Sequence, residues 1–478
     1  MTEQISTTEP TGLQRRRWWL LGVLGIAQLM LILDVTVVAI ALPNIGADLG
    51  LGREALTWVV SGYTLAFGGL LLLGGRIVDL VGARRVVLTG LAVFTAASLV
   101  AGLADSAGLL LGGRIAQGVG AAMLSPAALS LVVTTFEGEE RNKALGIWSA
   151  LGGGGAALGV LLGGLLTAGP GWSWIFYVNV PIGAAVIATL TVMLPRRVQA
   201  YGGQRLDIPG AVLVIAATGT MIYALIGAGD HGWLSARTVS LLVVAAALYA
   251  GFFAWLRTTR TPLMNVGLLV RRPVASGTLM ILVATALMIA VFFLGSFYLQ
   301  HHEGYGPLRT GLLFLPVAAA TMIGASIAGR VIGRTGPRGL AFVGLLVVAA
   351  GLAAPATASD PTAVVVGVSI AGAGLGVIFV VASATALGQV ALEEAGLASG
   401  IVSTFHEFGA SIGAAVSSSV AAAGITGSSL SGIQRGFTVA AVTAVVTGVV
   451  GLVVLPRRQV PDATAATADT RESTLRGR

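Results

Sequence analysis

Cysteine is absent from the 478 residues, which excludes disulfides, thiolate metal ligands and cysteine nucleophiles. Charge is scarce. Only 10% of residues are charged, against about 25% in a soluble domain. So little charge cannot coat a globule in water, which excludes an ordinary soluble enzyme and a disordered chain. Lysine is almost missing, Lys143 being the single example. No GxxxxGK[ST] phosphate loop occurs, so direct ATP use is not expected. His301, His302 and Glu303 are adjacent and do not share a helix face. No metal site, cofactor or enzymatic activity is expected.

What is present is apolar: 55% hydrophobic residues and 68 glycines, a composition suited to closely packed membrane helices. Apolar runs predict helices near 18–43, 55–74, 86–104, 107–135, 142–168, 174–194, 207–228, 236–256, 273–300, 309–329, 339–357, 362–388, 396–424 and 436–455. These fourteen spans predict an all-α integral membrane protein. The first is too long for a signal peptide and contains Asp34. With the N-terminus inside, the inner segments hold 23 of the 28 basic residues. Arg53, Arg237, Arg309 and Arg435 fall outside, and Arg114 lies within a helix. This is the positive-inside pattern and predicts an N-in/C-in topology. It assigns the net charge of +8 to the lipid surface rather than to nucleic acid.

A repeat appears at an offset of 254 residues. Gly75-Arg76 and Gly82-Ala83-Arg84 match Gly329-Arg330 and Gly336-Pro337-Arg338; Gly118, Gly120, Gly155 and Gly159 match Gly372, Gly374, Gly409 and Gly413. The offset is too long for six helices and fits six plus two. The expected organisation is a tail at 1–17, a six-helix bundle at 18–194, a linker with two extra helices at 195–272, a second six-helix bundle at 273–456 and a tail at 457–478.

A charge inside a membrane helix costs at least roughly 2.5–3.5 kcal/mol at the bilayer centre, so each one needs a reason. Asp34 lies in LILDVTVVAIALP. Burial disfavours the ionised form of a carboxyl group, and one that gains and loses a proton can carry it across the membrane. The alternative is a structural Asp bonded to Thr36 or to a neighbouring helix. Arg114, Gln117 and Ser125 line one stripe of the fourth helix, and Arg114 is expected to pair with Asp34. Ser403, Glu407, Ser411 and Ser418 line one face of LASGIVSTFHEFGASIGAAVSSSV. That face is expected to border a cavity for a cationic substrate or a second proton, with a serine-rich packing face as the alternative. His406 points elsewhere and reads more simply as a packed histidine.

The turn from Gly75 to Arg85 has Gly82 at its bend and Asp79, Arg84 and Arg85 around it. Asp79 is expected to latch one conformation by pairing or by capping a helix; the alternative is a lipid anchor. Gly155, Gly159 and Gly163 recur every four residues and form a groove for a neighbouring helix.

These motifs together resemble the major facilitator superfamily, in particular its fourteen-helix drug:proton antiporter branch, over about residues 15–456. LDVTVVAIALPNI resembles the first-helix signature, with Asp34 at its acidic position. Gly75, Asp79, Gly82 and Arg84 match the cytoplasmic loop motif, with Ala83 where a basic residue is common and Arg85 beside it. Arg114, Gln117, Gly118 and Gly120 match the fourth-helix motif linked to proton coupling. Gly155, Gly159, Gly163 and Gly164 match the antiporter motif of the fifth helix, with Val160 in place of its proline. WSWIFYVNVPIG also matches.

The resemblance implies a monomeric, proton-coupled exporter of small amphipathic molecules in the bacterial cell membrane. It implies proton coupling at Asp34 and Arg114; the residue pattern itself gives Glu407, Ser403, Ser411, Gln117 and His406 as the candidate substrate or second proton site. Other readings are an exporter dedicated to one metabolite, lipid or antibiotic, a nutrient facilitator, and a transporter-like receptor without flux.

Overall fold

Every expected apolar run folds as helix over its described part in the computed structural model, which describes residues 12–194, 206–260, 262–264, 266–357, 360–388, 390, 394–422 and 430–456. No strand occurs among these residues. Hydrocarbon offers no partner for a free backbone N–H or C=O, so a spanning segment bonds its own backbone as helix. The C-terminal tail 457–478, residues 1–11 and the start of the linker at 195–205 lie outside the described residues.

The order is α1 (Gly12–Leu49), α2 (Arg53–Val81), α3 (Ala83–Gly102), α4 (Ala107–Thr135) and α5 (Gly138–Ala168), followed by α6 (Trp174–Tyr177) and α7 (Asn179–Met193). Next come α8 (Ile208–His231), α9 (Ala236–Thr258) and the short α10 (Val266–Leu269). The chain ends with α11 (Arg272–Phe297), α12 (Pro307–Thr335), α13 (Pro337–Thr357), α14 (Pro361–Leu387), α15 (Ala395–Val420) and α16 (Leu430–Val454). Several boundaries differ from expectation: α1 starts at Gly12, inside the expected tail, and α2 and α12 run on to Val81 and Thr335. α1 runs through Pro43 to Leu49. The span at 174–194 is divided at Val178 into α6 and α7. α11 closes in a π turn, Tyr298–His302.

Twelve helical runs among the described residues are long and apolar enough to cross a membrane, rather than the fourteen expected. The two outside that set are α5 and α15. α5 opens with Glu139, Glu140, Arg141 and Lys143 and carries no charged residue from Ala144 to Ala168. Ser403, His406, Glu407 and Ser411 dilute the apolar character of α15. Both nevertheless lie among the apolar helices: α5 packs on α1 and α12, and α15 on α2, α8 and α11.

The packing follows the 254-residue offset. In the first half α4 packs on α2 and α3, and α1 on α5; in the second α14 packs on α12 and α13, and α11 on α15. The turns repeat too. Gly82 (φ 91°) joins α2 to α3, and Gly336 (φ 75°) joins α12 to α13, a conformation that favours glycine. Gly120 sits on the backbone of Gly90 and Phe94, and Gly374 on Gly344 and Val348. The halves meet along α2–α15 and α5–α12. α8 packs on α2 and α15, and α9 packs mainly on α8. Asp207 ties the start of this pair together, accepting from Gly210 N, Trp255 Nε1 and Leu263 N at 2.7–2.9 Å.

Candidate functional site

α1, α2, α3 and α4 converge on one buried polar cluster. Asp34 on α1 is 3% exposed and Arg114 on α4 is 1% exposed. Arg114 Nη1 donates to Asp34 Oδ2 and, at 2.9 Å, to Gln117 Oε1. Gln117 Nε2 donates to Asp34 Oδ1 at 3.1 Å and to Ser98 Oγ at 2.8 Å. Arg114 Nε is held by the Val59 carbonyl at 2.9 Å. Its guanidinium lies 4.3 Å from the Tyr63 ring centroid and 5.8 Å from that of Phe176. The carboxylate therefore has a donor on each oxygen, and the cation has a counter-ion, a carbonyl and two aromatic faces. An ion pair in a low-dielectric interior persists only with this kind of support.

The structure brings Asp34, Arg114 and Gln117 together as the sequence analysis expected. Ser125 takes no part in the cluster. Thr36, the alternative partner of Asp34, bonds instead to the carbonyls of Ile32 and Leu33. Ser98 and Tyr63 were missed: a serine and a tyrosine carry no charge cost to mark them.

The α15 stripe is divided. Ser411 Oγ bonds Thr64 and the carbonyl of Ser61, and Ser61 Oγ donates to the Ser411 carbonyl. Ser418 accepts from Thr57 at 2.6 Å and from Arg53 Nη1 at 3.0 Å. These two serines fasten α15 to α2, which corrects the expectation that the whole face lines a cavity. Glu407 is 8% exposed, and Gly68 on α2 leaves room for it: a Cβ there would lie 2.6 Å from Glu407 Cβ. Ser403 is partly exposed. His406 Nδ1 is 2.9 Å from Thr285 Oγ1 and its ring packs on Phe379, as a packed histidine would.

Arg53 is the largest departure. The sequence places it among loop charges, yet its side chain is 3% exposed and pairs with Asp230 of α8 at 2.5 Å. It also donates to the Ile226 carbonyl at 3.1 Å. One guanidinium thus joins α2, α8 and α15. At the same end Asn44 Nδ2 donates to Gln300 Oε1 at 2.8 Å, and Gln300 Nε2 reaches the Ile40 carbonyl. Gly164 faces Pro307 and Gly311 faces the Val160 carbonyl, so α5 and α12 touch closely. The two halves are closed against each other at this Arg53 end.

At the opposite end Arg84 is committed to carbonyls of Thr191 and Leu194. Asp79 and Arg85 are exposed. No ion pair joins Asp79 to Arg84 or Arg85 among the described residues. Gly75 opens the loop motif with only Pro126 nearby. Gly155, Gly159 and Gly163 receive α1 at Ile32, Thr36 and Val37, so this motif is a helix-packing groove.

Known proteins share this sequence and architecture. The family model of the Major Facilitator Superfamily matches residues 24–414 and 311–477. The puromycin resistance protein of Streptomyces alboniger is 39% identical over 415 residues, 85% of this chain and 82% of that protein. The multidrug resistance protein Stp of Mycobacterium tuberculosis (strain CDC 1551 / Oshkosh) is 35% identical, over 84% of this chain and 75% of that protein. The tetracenomycin C resistance and export protein of Streptomyces glaucescens is 33% identical, over 86% and 77%. Among solved structures, a bacterial homolog of the human lysosomal transporter Spinster, inward-facing and unoccupied, superposes with a TM-score of 0.67. It is 16% identical and covers 95% of this chain and 100% of that one, a likeness of fold alone.

Proposed function

The chain belongs to the major facilitator superfamily, and on that premise we propose that this multi-pass cell-membrane protein is a proton-coupled exporter of small amphipathic compounds. Fourteen spans with both termini in the cytoplasm are part of the same reading: residues 18–194 and 273–456 act as two six-helix bundles, and the linker at 195–272 adds two helices. The arginine distribution then puts the Arg84 end inside. On this reading the closed Arg53 end is the outside.

The observation that carries the coupling is the buried Asp34–Arg114 pair with Gln117 on the second oxygen. Ionised, Asp34 neutralises Arg114. Arginine keeps its charge, so a proton arriving on Asp34 dissolves the ion pair and changes which helix arrangement is favoured. Facing outside, Asp34 takes a proton; facing the cytoplasm, it releases one as substrate enters. Ser403 and Glu407, below the zipped part of α15, meet the substrate. The names of the relatives, which include resistance to puromycin and export of tetracenomycin C, support antibiotics as the class of cargo. They equally favour a second reading, export of a single compound.

Inverted vesicles carrying the protein test this. An imposed proton gradient is expected to drive uptake of puromycin or ethidium, and Asp34→Asn to abolish that uptake. Gradient-independent uptake by the wild type would remove the coupling claim. A wide panel of compounds separates the broad exporter from the single-compound one.

A further inference from the structure

The linker helices are tied to the second half at both ends. At the Arg53 end Gly229 of α8 lies on Ser419 of α15: a Cβ at Gly229 would stand 2.8 Å from the Ser419 carbonyl oxygen and 3.0 Å from its Cα. A small residue permits this approach of two backbones, and it fixes the two helices on each other at this point. At the other end Arg271, just ahead of α11, grips Glu394 at the start of α15 through both carboxylate oxygens, at 2.6 and 3.3 Å. The short α10 packs on α9 and on α15.

The contact with the first half is of another kind. Along α2 it is apolar, Ile215 against Gly69 and Leu65 against Gly219. At the end of α2, Arg53 donates to Asp230 at 2.5 Å and to the Ile226 carbonyl at 3.1 Å, both on α8, and to Ser418 of α15 at 3.0 Å. It thus holds α2 to two helices that are fastened to each other. This ion pair also differs from the one between Asp34 and Arg114, where both side chains are buried: Asp230 is 53% exposed. A carboxylate at that exposure stays hydrated when its partner leaves, so the pair separates easily.

We propose that the two-helix linker is a moving part of the closure: α8 travels with α15 and the second half, and Arg53–Asp230 is the releasable latch that holds α2 against it. When this end opens, the guanidinium leaves Ser418, Ile226 and Asp230 together, and water takes their place. Arginine keeps its charge throughout, so the release exchanges acceptors and needs no proton. The apolar contact of α2 with α8 is then free to slide, side chain over glycine. The latch rests on the alternating-access part of the reading above and is independent of its proton coupling.

Spin labels test this on the full chain in lipid nanodiscs, since the lack of native cysteine lets each label be placed singly. Leu234→Cys, 94% exposed between α8 and α9, reports the linker. Leu109→Cys reports the first half and Arg435→Cys the second, both at exposed positions. Double electron–electron resonance reads the Leu234–Leu109 and Leu234–Arg435 separations. In Asp230→Asn the share of the longer Leu234–Leu109 separation is expected to rise about fivefold, the upper end for a partly exposed pair, with Leu234–Arg435 unchanged. Asp230→Glu is expected to restore the wild-type distribution. Salt at about 1 M is expected to act on the wild type as Asp230→Asn does, by screening the pair. Lengthening of Leu234–Arg435 in place of Leu234–Leu109 overturns the proposal, because α8 then travels with α2. Distributions that respond neither to Asp230→Asn nor to salt overturn it as well. The labels are read without cargo or a proton gradient, so these shifts in a protein that fails the vesicle assay uphold the latch and refute the transport reading.

Discussion

Arg84 and Arg338 stand 254 positions apart and make the same contact. Arg84 Nε donates to the Leu194 carbonyl at 3.1 Å, and Arg338 Nε to the Leu455 carbonyl at 3.1 Å. Each arginine covers the last carbonyls of the helix that ends its half, where no intrahelical N–H remains. Arg16 and Arg272 support the same two ends, at Met193 and at Val453 and Val454. The repeat is one of contacts as well as letters.

Removing either cap is expected to lower stability without touching the transport chemistry. Arg84→Ala and Arg338→Ala each lose hydrogen bonds from a charged donor, worth about 1.5–3 kcal/mol in partly buried settings and less where solvent screens them. Thermal unfolding of the purified protein checks this. Lysine is expected to restore only part of the loss, because it lacks the planar fork.

Asp79 is expected to behave in the opposite way. It is exposed in this arrangement, so Asp79→Asn leaves the unfolding temperature unchanged. Its proposed latch belongs to the alternative state, and the substitution is expected to reduce efflux in vesicles about tenfold, the effect of shifting a two-state balance by about 1.4 kcal/mol. Wild-type efflux in this variant leaves the lipid-anchor reading of the loop.

The Asp34–Arg114 pair predicts a stability cycle. Arg114→Gln strands a buried carboxylate, and Asp34→Asn strands a buried guanidinium; each is expected to cost about 3–5 kcal/mol. The double variant carries neither charge and is expected to unfold at a higher temperature than the less stable single. Additive losses would mean that the two side chains act independently.

The closed Arg53 end offers a direct trap. Thr57 Oγ1 and Ser418 Oγ are 2.6 Å apart, and the chain has no cysteine of its own. Thr57→Cys with Ser418→Cys is expected to form a disulfide under oxidation and to stop transport, with recovery on reduction. Transport that continues while the bond is intact would show that this end does not open during the cycle.

How far the sequence could be read depended on what each residue costs. Asp34 and Arg114 declared themselves because a charge at mid-membrane is expensive wherever it points, and their partnership followed from opposite sign. The serine stripe of α15 was visible, but serine is equally at home beside water and against a helix. Only the facing Ser61 and Thr64 decide between them. Arg53 escaped because it opens α2, next to a loop, where arginine is ordinary. Its partner Asp230 lies 177 residues away, and no spacing rule connects them. The helices were legible from hydropathy, α5 and α15 included: the apolar runs at 142–168 and 396–424 were expected as helices and fold as helices over their described residues.

The buried pair has an electrical consequence. The positions 254 residues after Asp34, Arg114 and Gln117 are Met288, Val368 and Ala371, so the second half has no counterpart to this charge. As an ion pair the site is neutral overall and the membrane voltage exerts no net force on it. Once Asp34 is protonated, Arg114 is left with an unbalanced positive charge. The loaded cluster then feels the field, about 2.3 kcal/mol for each charge carried across 100 mV. On the proposed proton coupling, a voltage negative inside would draw the protonated cluster toward the cytoplasm and exert no net force on the ion pair, making the first half of a nearly repeated molecule its voltage-sensitive arm.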